Sequence, residues 1–248
     1  MERILSILIG YAFGLFQTGY IYGMMNHVDI RKHGSGNAGT TNALRTLGWK
    51  AGVITFIGDC LKCVIAIVVI RLIFAQNENV QLLSAYAGLG VVLGHNYPFY
   101  LKFKGGKGHA AYIGMAFALN WWVALIVTPF CIAAWFISDY MVGLVFSTII
   151  LFPLLLFIVG QWQAALIVLI ASALVFYRHT ENIKRIKNGT EGKPLIQRRF
   201  QSIETVEEGN QGHVLVYDVG ALFSKPTQTY AESTTLTQAT LTDVAGIE

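Results

Sequence analysis

Long apolar stretches alternate with three short polar islands along most of this chain. The apolar stretches are residues 4–25, 51–74, 82–99, 109–119, 121–137, 141–159 and 162–177. A helix needs roughly 20 apolar residues to cross a bilayer, and fewer where neighbouring helices shield it. The pattern therefore predicts seven transmembrane helices, of which 109–119 is the shortest.

Composition supports a membrane protein. Hydrophobic residues make up 54% of the 248 residues and charged residues only 13%, whereas soluble domains usually carry about 25% charged residues. The apolar residues also come in long blocks and not with the short periodicity of a soluble core. We therefore predict an all-α integral membrane domain over residues 1–193. Residues 194–248 form a polar C-terminal tail, for which composition leaves open disorder or a small strand pair.

The positions of Lys and Arg predict the orientation. The basic residues that flank apolar stretches are Arg31, Lys32, Arg45, Lys50, Lys102, Lys104, Lys107, Arg178, Lys184, Arg185 and Lys187, whereas the connections near residues 76–81, 120 and 160 carry none. Seven crossings place these basic segments on one side, which the positive-inside rule makes cytoplasmic. We expect the N-terminus outside, and the islands and C-terminus inside. The net charge of +4 then serves topology and substrate binding, not nucleic acid.

The second island, residues 94–108, ends in Lys104-Gly105-Gly106-Lys107-Gly108 directly before an apolar segment. Glycine N–H groups between two ammonium groups at a helix start are suited to phosphate. The glycine spacing does not match a nucleotide-hydrolysing P-loop. The alternative interpretation is a flexible basic loop at the membrane surface.

The first island, residues 34–48, is dense in small polar side chains and glycines. Its candidate ligand-binding residues are Ser35, Gly36, Asn37, Thr41, Asn42 and Arg45. Glycines allow close approach of the backbone, and a guanidinium group can bind phosphate with two hydrogen bonds. Alternatively, the island is a polar turn before a helix capped by Thr41 or Asn42.

The third island, residues 177–191, places His179, Asn182 and Arg185 at a spacing of three, which puts them on one helix face. Glu191 follows Gly189, past the expected helix end. A histidine beside an amide can orient a hydroxyl or accept its proton. A Tyr-Arg-His cluster is equally typical of a membrane-interface anchor.

Other reactive residues suggest structural roles. Asp59 and Lys62 lie three residues apart in an apolar stretch, which favours a structural ion pair over a proton relay. The three cysteines lie in apolar blocks and are interpreted as packing residues. His27, His33 and His213 have no spacing typical of a metal site, so neither metal nor cofactor is expected.

Together, the islands resemble the bacterial membrane acyltransferases that use acyl phosphate to acylate glycerol 3-phosphate. The family's first motif, GSGN-x-GATN-x-x-R, is matched by Gly34, Ser35, Gly36, Asn37, Gly39, Thr41, Asn42 and Arg45, with Thr40 in place of Ala. Its second motif, GH-x-x-P…F-x-GGKG, is matched by Gly94, His95, Pro98 and residues 103–108. Its third motif is matched by Arg178, His179, Asn182 and Glu191.

Two stretches depart from the family pattern. His109-Ala110-Ala111 follows the second island where the family commonly has Val-Ala-Thr. Gly14-Leu15-Phe16-Gln17 stands where the family has Gly-Ser-x-Pro in the first helix. The tail has no recognised counterpart in the family.

The resemblance implies seven helices and transfer of a fatty acyl group from acyl phosphate to the 1-hydroxyl of glycerol 3-phosphate at the bacterial cell membrane. The expected partners are these two substrates and membrane lipid. Expected catalytic residues are Ser35, Arg45, His179 and Asn182. Expected substrate-binding residues are Gly36, Asn37, Thr41, Asn42, His95, Lys104, Gly105, Gly106, Lys107, Gly108 and Glu191.

Two other functions stay open from sequence alone. A transporter for a phosphorylated or anionic solute would place polar residues near the bilayer midplane, often in repeated halves. A catalytically silent membrane protein would keep the islands without the activity. Product formation by the purified protein distinguishes the three hypotheses.

Overall fold

Helices supply the regular structure of residues 1–192, the part of the chain that this computed structural model describes. They are α1 (Glu2–Gly14), α2 (Thr18–Met25), α3 (Thr40–Leu47), α4 (Trp49–Ile73), α5 (Val80–Asn96), α6 (His109–Leu119), α7 (Trp121–Ser138), α8 (Met141–Ile158), α9 (Trp162–Arg178) and α10 (Thr180–Lys187). Short 3₁₀ turns occupy Ile30–Lys32 and Phe99–Leu101. The predicted all-α class is confirmed for these residues. The tail predicted for residues 194–248 lies outside them.

The first apolar stretch forms two helices, not the single helix that was predicted. The chain breaks around Gln17, between the end of α1 and the start of α2. The Gln17 side chain is buried, and its amide nitrogen donates to the carbonyls of Gly14, Gly94 and His95 at 3.1, 3.3 and 3.0 Å. Carbonyls freed at a break inside a membrane domain need such donors. The hydropathy pattern does not show the break because the residues around it remain apolar.

Helices α1 and α5 pack with their backbones close together. A methyl group on Gly10 would collide with the carbonyl of Ala87, and one on Gly94 would collide with that of Tyr11. Small residues at a membrane helix interface allow this approach, so that van der Waals packing holds the pair. The contact places the end of α5, with His95, beside the break after α1.

Within the described residues, four helical stretches are long and apolar enough to cross a membrane, or five if the bent pair α9 and α10 counts as one. These four are Glu2–Met25, Trp49–Ile73, Trp121–Ser138 and Met141–Ile158. Helices α5 and α6 are shorter, with 17 and 11 residues. The prediction of seven crossings therefore stays a prediction. Large apolar side chains such as Ile57, Leu125 and Ile150 are exposed, as lipid-facing residues are.

Polar side chains join the helix ends that lie away from the islands. Arg71 of α4 donates to the Gln81 side chain of α5 at 3.1 Å. The Gln81 amide donates to the carbonyl of Leu119 at the end of α6, at 3.0 Å, and to the side chain of Gln161 at 3.1 Å. This network ties α4, α5 and α6 to the start of α9, so the opposite ends of these helices can present the islands as one surface.

Candidate active site

One cavity of about 400 Å³ brings together residues from all three islands. The predicted site residues that line it are Ser35, Asn37, Thr41, Asn42, Arg45, His95, Lys107, Gly108, His179, Asn182 and Glu191. Four other predicted residues, Gly36, Lys104, Gly105 and Gly106, lie outside the lining. Lys104 is exposed in the loop before α6.

Asn42 organises the loop of the first island. Its side-chain oxygen accepts the N–H of Ser35 at 2.8 Å, and its amide nitrogen donates to the carbonyls of Ile30 and Asn37 at 2.7 and 2.8 Å. Asn42 is buried inside α3 and does not cap it, because the helix already begins at Thr40 with Gly39 as its N-cap. These hydrogen bonds fix the loop so that Ser35 is exposed at the cavity.

Arg45 and Arg31, both basic residues near the first island, differ in their partners. The guanidinium of Arg31 pairs with Asp29 at 2.9 Å and lies 4.5 Å from the ring centre of Tyr20. Its hydrogen bond lowers the pKa of the Asp29 carboxyl, and the Asp29 carboxylate raises the pKa of Arg31. Arg45 is exposed, lines the cavity and makes no ion pair or side-chain hydrogen bond with the described residues. Its guanidinium is therefore available to an anionic ligand.

Gly105 and Gly106 lock the second island against α5. Their N–H groups donate to the carbonyls of Asn96 and His95 at 3.2 and 3.0 Å, and their carbonyls each accept from Arg178 at 3.2 Å. A methyl group on Gly106 would collide with the imidazole of His95. We expected these two N–H groups to face a ligand, but the structure uses them within the protein.

The start of α6 remains open to the cavity. Gly108 is the N-cap residue, with a φ of +85° that favours glycine, and Gly108, His109 and Ala110 line the cavity. The first N–H groups of a helix have no partners within it and carry partial positive charge. The phosphate site predicted from the sequence can therefore form here, on the helix start, without Gly105 and Gly106.

Lys107 connects this helix start to the third island. Its ammonium group donates to the side-chain oxygen of Asn182. Asn182 donates to Glu191 at 2.9 Å, and Glu191 also accepts from Arg185 at 2.6 Å. Gly189, with a φ of +69°, turns the chain so that Glu191 folds back onto α10. Burial lowers the pKa of Lys107 to about 8, and the positive charge of Arg185 contributes to the shift.

His179 lies at the junction of α9 and α10 and is 6% exposed. Its Nδ1 lies 2.8 Å from the carbonyl of Val175. A carbonyl only accepts, so in the neutral imidazole the proton is on Nδ1 and Nε2 keeps a lone pair. Because His179 lines the cavity, that lone pair can accept a proton from a bound hydroxyl.

The predicted Asp59–Lys62 ion pair is confirmed. The two charged groups lie 2.8 Å apart, and both side chains are buried. Lys62 also donates to the carbonyl of Phe16 at 2.7 Å, and Thr18 donates to Asp59 at 3.2 Å. Asp59 itself lines the cavity, so the ion pair stabilises part of the polar lining.

The cavity continues as an apolar trough between α6, α7 and α8. Its apolar lining comprises Ile113, Ala116, Phe117, Ala124, Val127, Cys131, Ile132, Met141, Val142, Leu144, Val145 and Phe152. One face of α6, with His109, Ile113 and Ala116 at spacings of four and three, runs from the basic end into this trough. A basic end joined to an apolar trough fits an amphiphile with an anionic head and a hydrocarbon chain.

Sequence reasoning missed several residues that the structure places at or beside the cavity. Arg185 lay on the predicted face of α10 but was not assigned to the site, and Arg178 was recognised only as a motif residue. Thr40, His109 and Thr148 also line the cavity. Thr148 sits in an apolar stretch without a pattern that signals a site, since only its packing between α6 and α7 brings it there.

The comparison with known proteins agrees with this geometry. Residues 4–189 match the family model described as glycerol-3-phosphate acyltransferase. The glycerol-3-phosphate acyltransferase of Alkaliphilus metalliredigens is 39% identical over 194 residues, which cover 78% of this chain and 96% of that protein. The one from Lactiplantibacillus plantarum is 38% identical over 196 residues, which cover 77% of this chain and 91% of that protein.

Two crystal structures of PlsY, an integral membrane glycerol 3-phosphate acyltransferase, are also similar. Its glycerol 3-phosphate form has a TM-score of 0.72 and 32% identity, with 81% of this chain and 100% of that chain covered. Its lysophosphatidic acid form has a TM-score of 0.69 and 32% identity, with 78% and 95% covered. The helices therefore form the fold of a multi-pass membrane protein.

Proposed function

The chain belongs to the glycerol-3-phosphate acyltransferase family, and from that premise we propose that it transfers a fatty acyl group from acyl phosphate to the 1-hydroxyl of glycerol 3-phosphate. The products are lysophosphatidate, which stays in the membrane, and inorganic phosphate. The observation that carries the proposal is that a basic polar end continues into an apolar trough within one cavity. The basic polar end holds the two phosphate groups, and the apolar trough holds the acyl chain.

Glycerol 3-phosphate binds at the start of α6. Its phosphate meets the N–H groups of the first helical turn, which have no partner within α6, and the ammonium group of Lys107, which lines the cavity. Gly108 allows the ligand to approach the backbone closely. Lys104 is exposed outside the lining, so it contributes attraction at a distance and not a direct contact.

The acyl phosphate binds across the first and third islands. Arg45 holds its phosphate because the guanidinium has no protein partner among the described residues and offers two parallel donors. Ser35 and Asn182 donate to the carbonyl oxygen as negative charge develops on it. The N–H of Ser35 already bonds Asn42 at 2.8 Å, so the serine acts through its hydroxyl.

The reaction needs alignment more than activation, because acyl phosphate is already a reactive donor. The 1-hydroxyl oxygen attacks the carbonyl carbon, the bond from that carbon to the phosphate oxygen breaks, and phosphate leaves. Holding both reactants in one cavity can supply about 7–11 kcal/mol of the barrier. The hydroxyl proton goes to Nε2 of His179 or to an oxygen of the donor phosphate. Either acceptor leaves the proton count balanced.

We place the cavity on the cytoplasmic side of a bacterial cell membrane, with the N-terminus outside. The support is the distribution of Lys and Arg, which concentrates in the islands and after the last apolar stretch. Single cysteines at residues 33 and 160, in a variant without the natural cysteines, test this in sealed cells. A membrane-impermeant thiol reagent should label the second site and spare the first.

The transporter hypothesis fits the geometry less well. Its binding site would lie near the bilayer midplane on broken helices, whereas the charged lining here gathers where the islands meet α6 and α10. Uptake of glycerol 3-phosphate by vesicles that contain the purified protein, without formation of lysophosphatidate, would favour the transporter.

Donor choice tests the proposed reaction most directly. Purified protein is incubated with glycerol 3-phosphate and either long-chain acyl phosphate or acyl-coenzyme A, and lysophosphatidate and phosphate are measured. We expect both products in equal amounts from acyl phosphate and none from acyl-coenzyme A. Ser35→Ala should lose turnover, whereas Lys50→Ala, an exposed change outside the cavity, should keep it. Turnover with acyl-coenzyme A alone would refute the proposal.

A further inference from the structure

The apolar trough contains a polar pair at the start of α6, two residues after Lys107. Nε2 of His109, the first residue of α6, lies 3.3 Å from the hydroxyl oxygen of Thr148 in α8, and both residues line the cavity. Polar groups beside a hydrocarbon chain are costly unless they are hydrogen-bonded. Any polar atom of the pair that has no protein partner would therefore favour a ligand that forms a hydrogen bond with it.

The hydrogen-bond pattern assigns the roles of the two imidazole nitrogens. Two possible acceptors surround the Thr148 hydroxyl group: the carbonyl oxygen of Leu144 at 2.7 Å and the sulfur of Cys131 at 3.2 Å. Its single proton is used there, so it offers His109 a lone pair. The neutral imidazole then donates from Nε2, and Nδ1 is an acceptor with no hydrogen-bond partner among the described residues.

The position of His109, two residues after Lys107, determines which carbons of a bound acyl chain lie near its Nδ1 atom. Lys107 belongs to the basic end of the cavity, and Ile113 and Ala116 continue down the same lining of α6. Seven residues of helix from His109 to Ala116 rise about 10 Å. Asn182, which we propose as a partner of the donor carbonyl, accepts from Lys107, two residues before His109. An acyl chain whose carbonyl lies at Asn182 therefore passes His109 within its first carbons and reaches Ala116 much later.

We propose that His109 selects acyl donors that carry a hydroxyl group near the carbonyl, with the 3-hydroxyacyl group as the preferred class. The hydroxyl donates to Nδ1 of His109, and Thr148 holds the ring by accepting from Nε2. This inference rests on the proposed acyl transfer and adds the substrate class of the same site. A site built to bond a hydroxyl discriminates against the analogue that lacks it, because its own polar group is then left unpaired.

The test compares three acyl phosphates of equal chain length: unsubstituted, 3-hydroxy and 3-methoxy. The methoxy chain keeps the oxygen on the same carbon but has no proton to donate. We expect the wild-type protein to use the 3-hydroxy donor with a kcat/KM about fivefold or more above that of the other two, the effect of one buried hydrogen bond. His109→Val and Thr148→Val should each bring this ratio close to one.

Thr128→Val is the matched control, because Thr128 also lines the cavity but its hydroxyl donates to the carbonyl of Ala124 at 2.8 Å. Its donor ratio should equal that of the wild type. Equal use of the hydroxy and unsubstituted donors by the wild-type protein would overturn the proposal. A loss of turnover in His109→Val that leaves the ratio intact would also overturn it.

Binding of the corresponding acyl phosphonates, measured by calorimetry, separates this inference from the proposed reaction. Tighter binding of the 3-hydroxy phosphonate without turnover of any acyl phosphate would support the selectivity and refute the acyl transfer. Turnover of acyl phosphate with no preference among the phosphonates would support the acyl transfer and refute the selectivity.

Discussion

The ammonium nitrogen of Lys62 lies 2.7 Å from Nδ1 of His95. An ammonium group only donates hydrogen bonds, so Nδ1 accepts and the proton of the neutral imidazole is on Nε2. The Nε2 edge of the ring faces Gly106, where an added methyl group would collide with it. Lys62 thus orients the histidine that supports the second island, in addition to neutralising Asp59.

Lys62→Met should destabilise the protein strongly. The change leaves the buried Asp59 carboxylate without its cation, and removal of one partner of a buried pair costs about 3–5 kcal/mol. Denaturant unfolding in mixed micelles measures the loss. The double variant Asp59→Asn with Lys62→Met leaves no unpaired charge, so its loss should be smaller than the sum of the two single losses. Wild-type stability of Lys62→Met would show that the pair is dispensable.

Gly106→Ala should reduce both stability and turnover. The methyl group has no space beside the His95 imidazole, and forced overpacking costs about 1–3 kcal/mol. The φ of Gly106 lies outside the left-handed region, so backbone strain does not contribute and the collision with His95 is the expected cause. Wild-type stability and turnover in Gly106→Ala would show that the imidazole makes room for the methyl group at no cost.

Hydropathy and residue spacing predicted the helices and the Asp59–Lys62 pair because both depend on local periodicity. They did not predict the break at Gln17, whose amide is bonded by carbonyls from α1 and α5. Nor did they predict that the N–H of Gly106 is used by His95. A glycine-rich loop has unpaired donors in the sequence, and only tertiary packing decides whether protein or ligand takes them.

The site residues likewise fall into those that sequence patterns predict and those that only tertiary packing brings together. The three islands identified Ser35, Arg45 and Asn182 as cavity residues because their polar types cluster along the chain. Thr148 and Cys131 come from different apolar helices and meet only through the packing of α7 on α8. Neither has a neighbour in sequence that would mark it as part of a ligand site.

Arg45→Lys should lower kcat/KM for acyl phosphate by about tenfold, since a lysine keeps the charge but loses the planar two-pronged contact. Steady-state kinetics at varied donor concentration measures the effect. Arg31→Lys is the matched control, because Arg31 is bound to Asp29 and lies outside the cavity lining. It should leave turnover unchanged. Unchanged kinetics in Arg45→Lys would mean that charge alone is sufficient.

Deletion of residues 201–248 should leave membrane insertion and turnover intact. The three islands and every lining residue within the described part of the chain precede the cut. Turnover per folded protein, with folding checked by size-exclusion chromatography in detergent, is the measurement. A well-folded but inactive truncation would make the tail part of the site.

Lys107→Ala should raise the KM for glycerol 3-phosphate more than the KM for acyl phosphate, because the helix-start phosphate site loses its adjacent cation. Lys104→Ala is the control, since Lys104 is exposed and does not line the cavity. Its effect on the same KM should be much smaller and should disappear at high salt, where exposed charges are screened. Equal effects of the two changes would remove the assignment of Lys107.

The pH dependence of the wild-type protein should report the same lysine. The pKa of Lys107 is lowered to about 8 chiefly by burial, with smaller lowering by the charges of Arg185 and Arg178 and opposition from Glu191 and Glu181. The phosphate site needs the charged form, which is lost as pH rises through that value. We therefore expect kcat/KM for glycerol 3-phosphate to fall above pH 8 by roughly tenfold per unit, as a single deprotonation in the free enzyme predicts.

The substrate phosphate does not cause this fall, since its second ionisation, near pH 6, is already complete. Lys107→Arg keeps its charge throughout the range, so its profile should stay flat to pH 10 or beyond, at whatever absolute rate the longer side chain allows. A fall above pH 8 that persists in Lys107→Arg would assign the ionisation to another group.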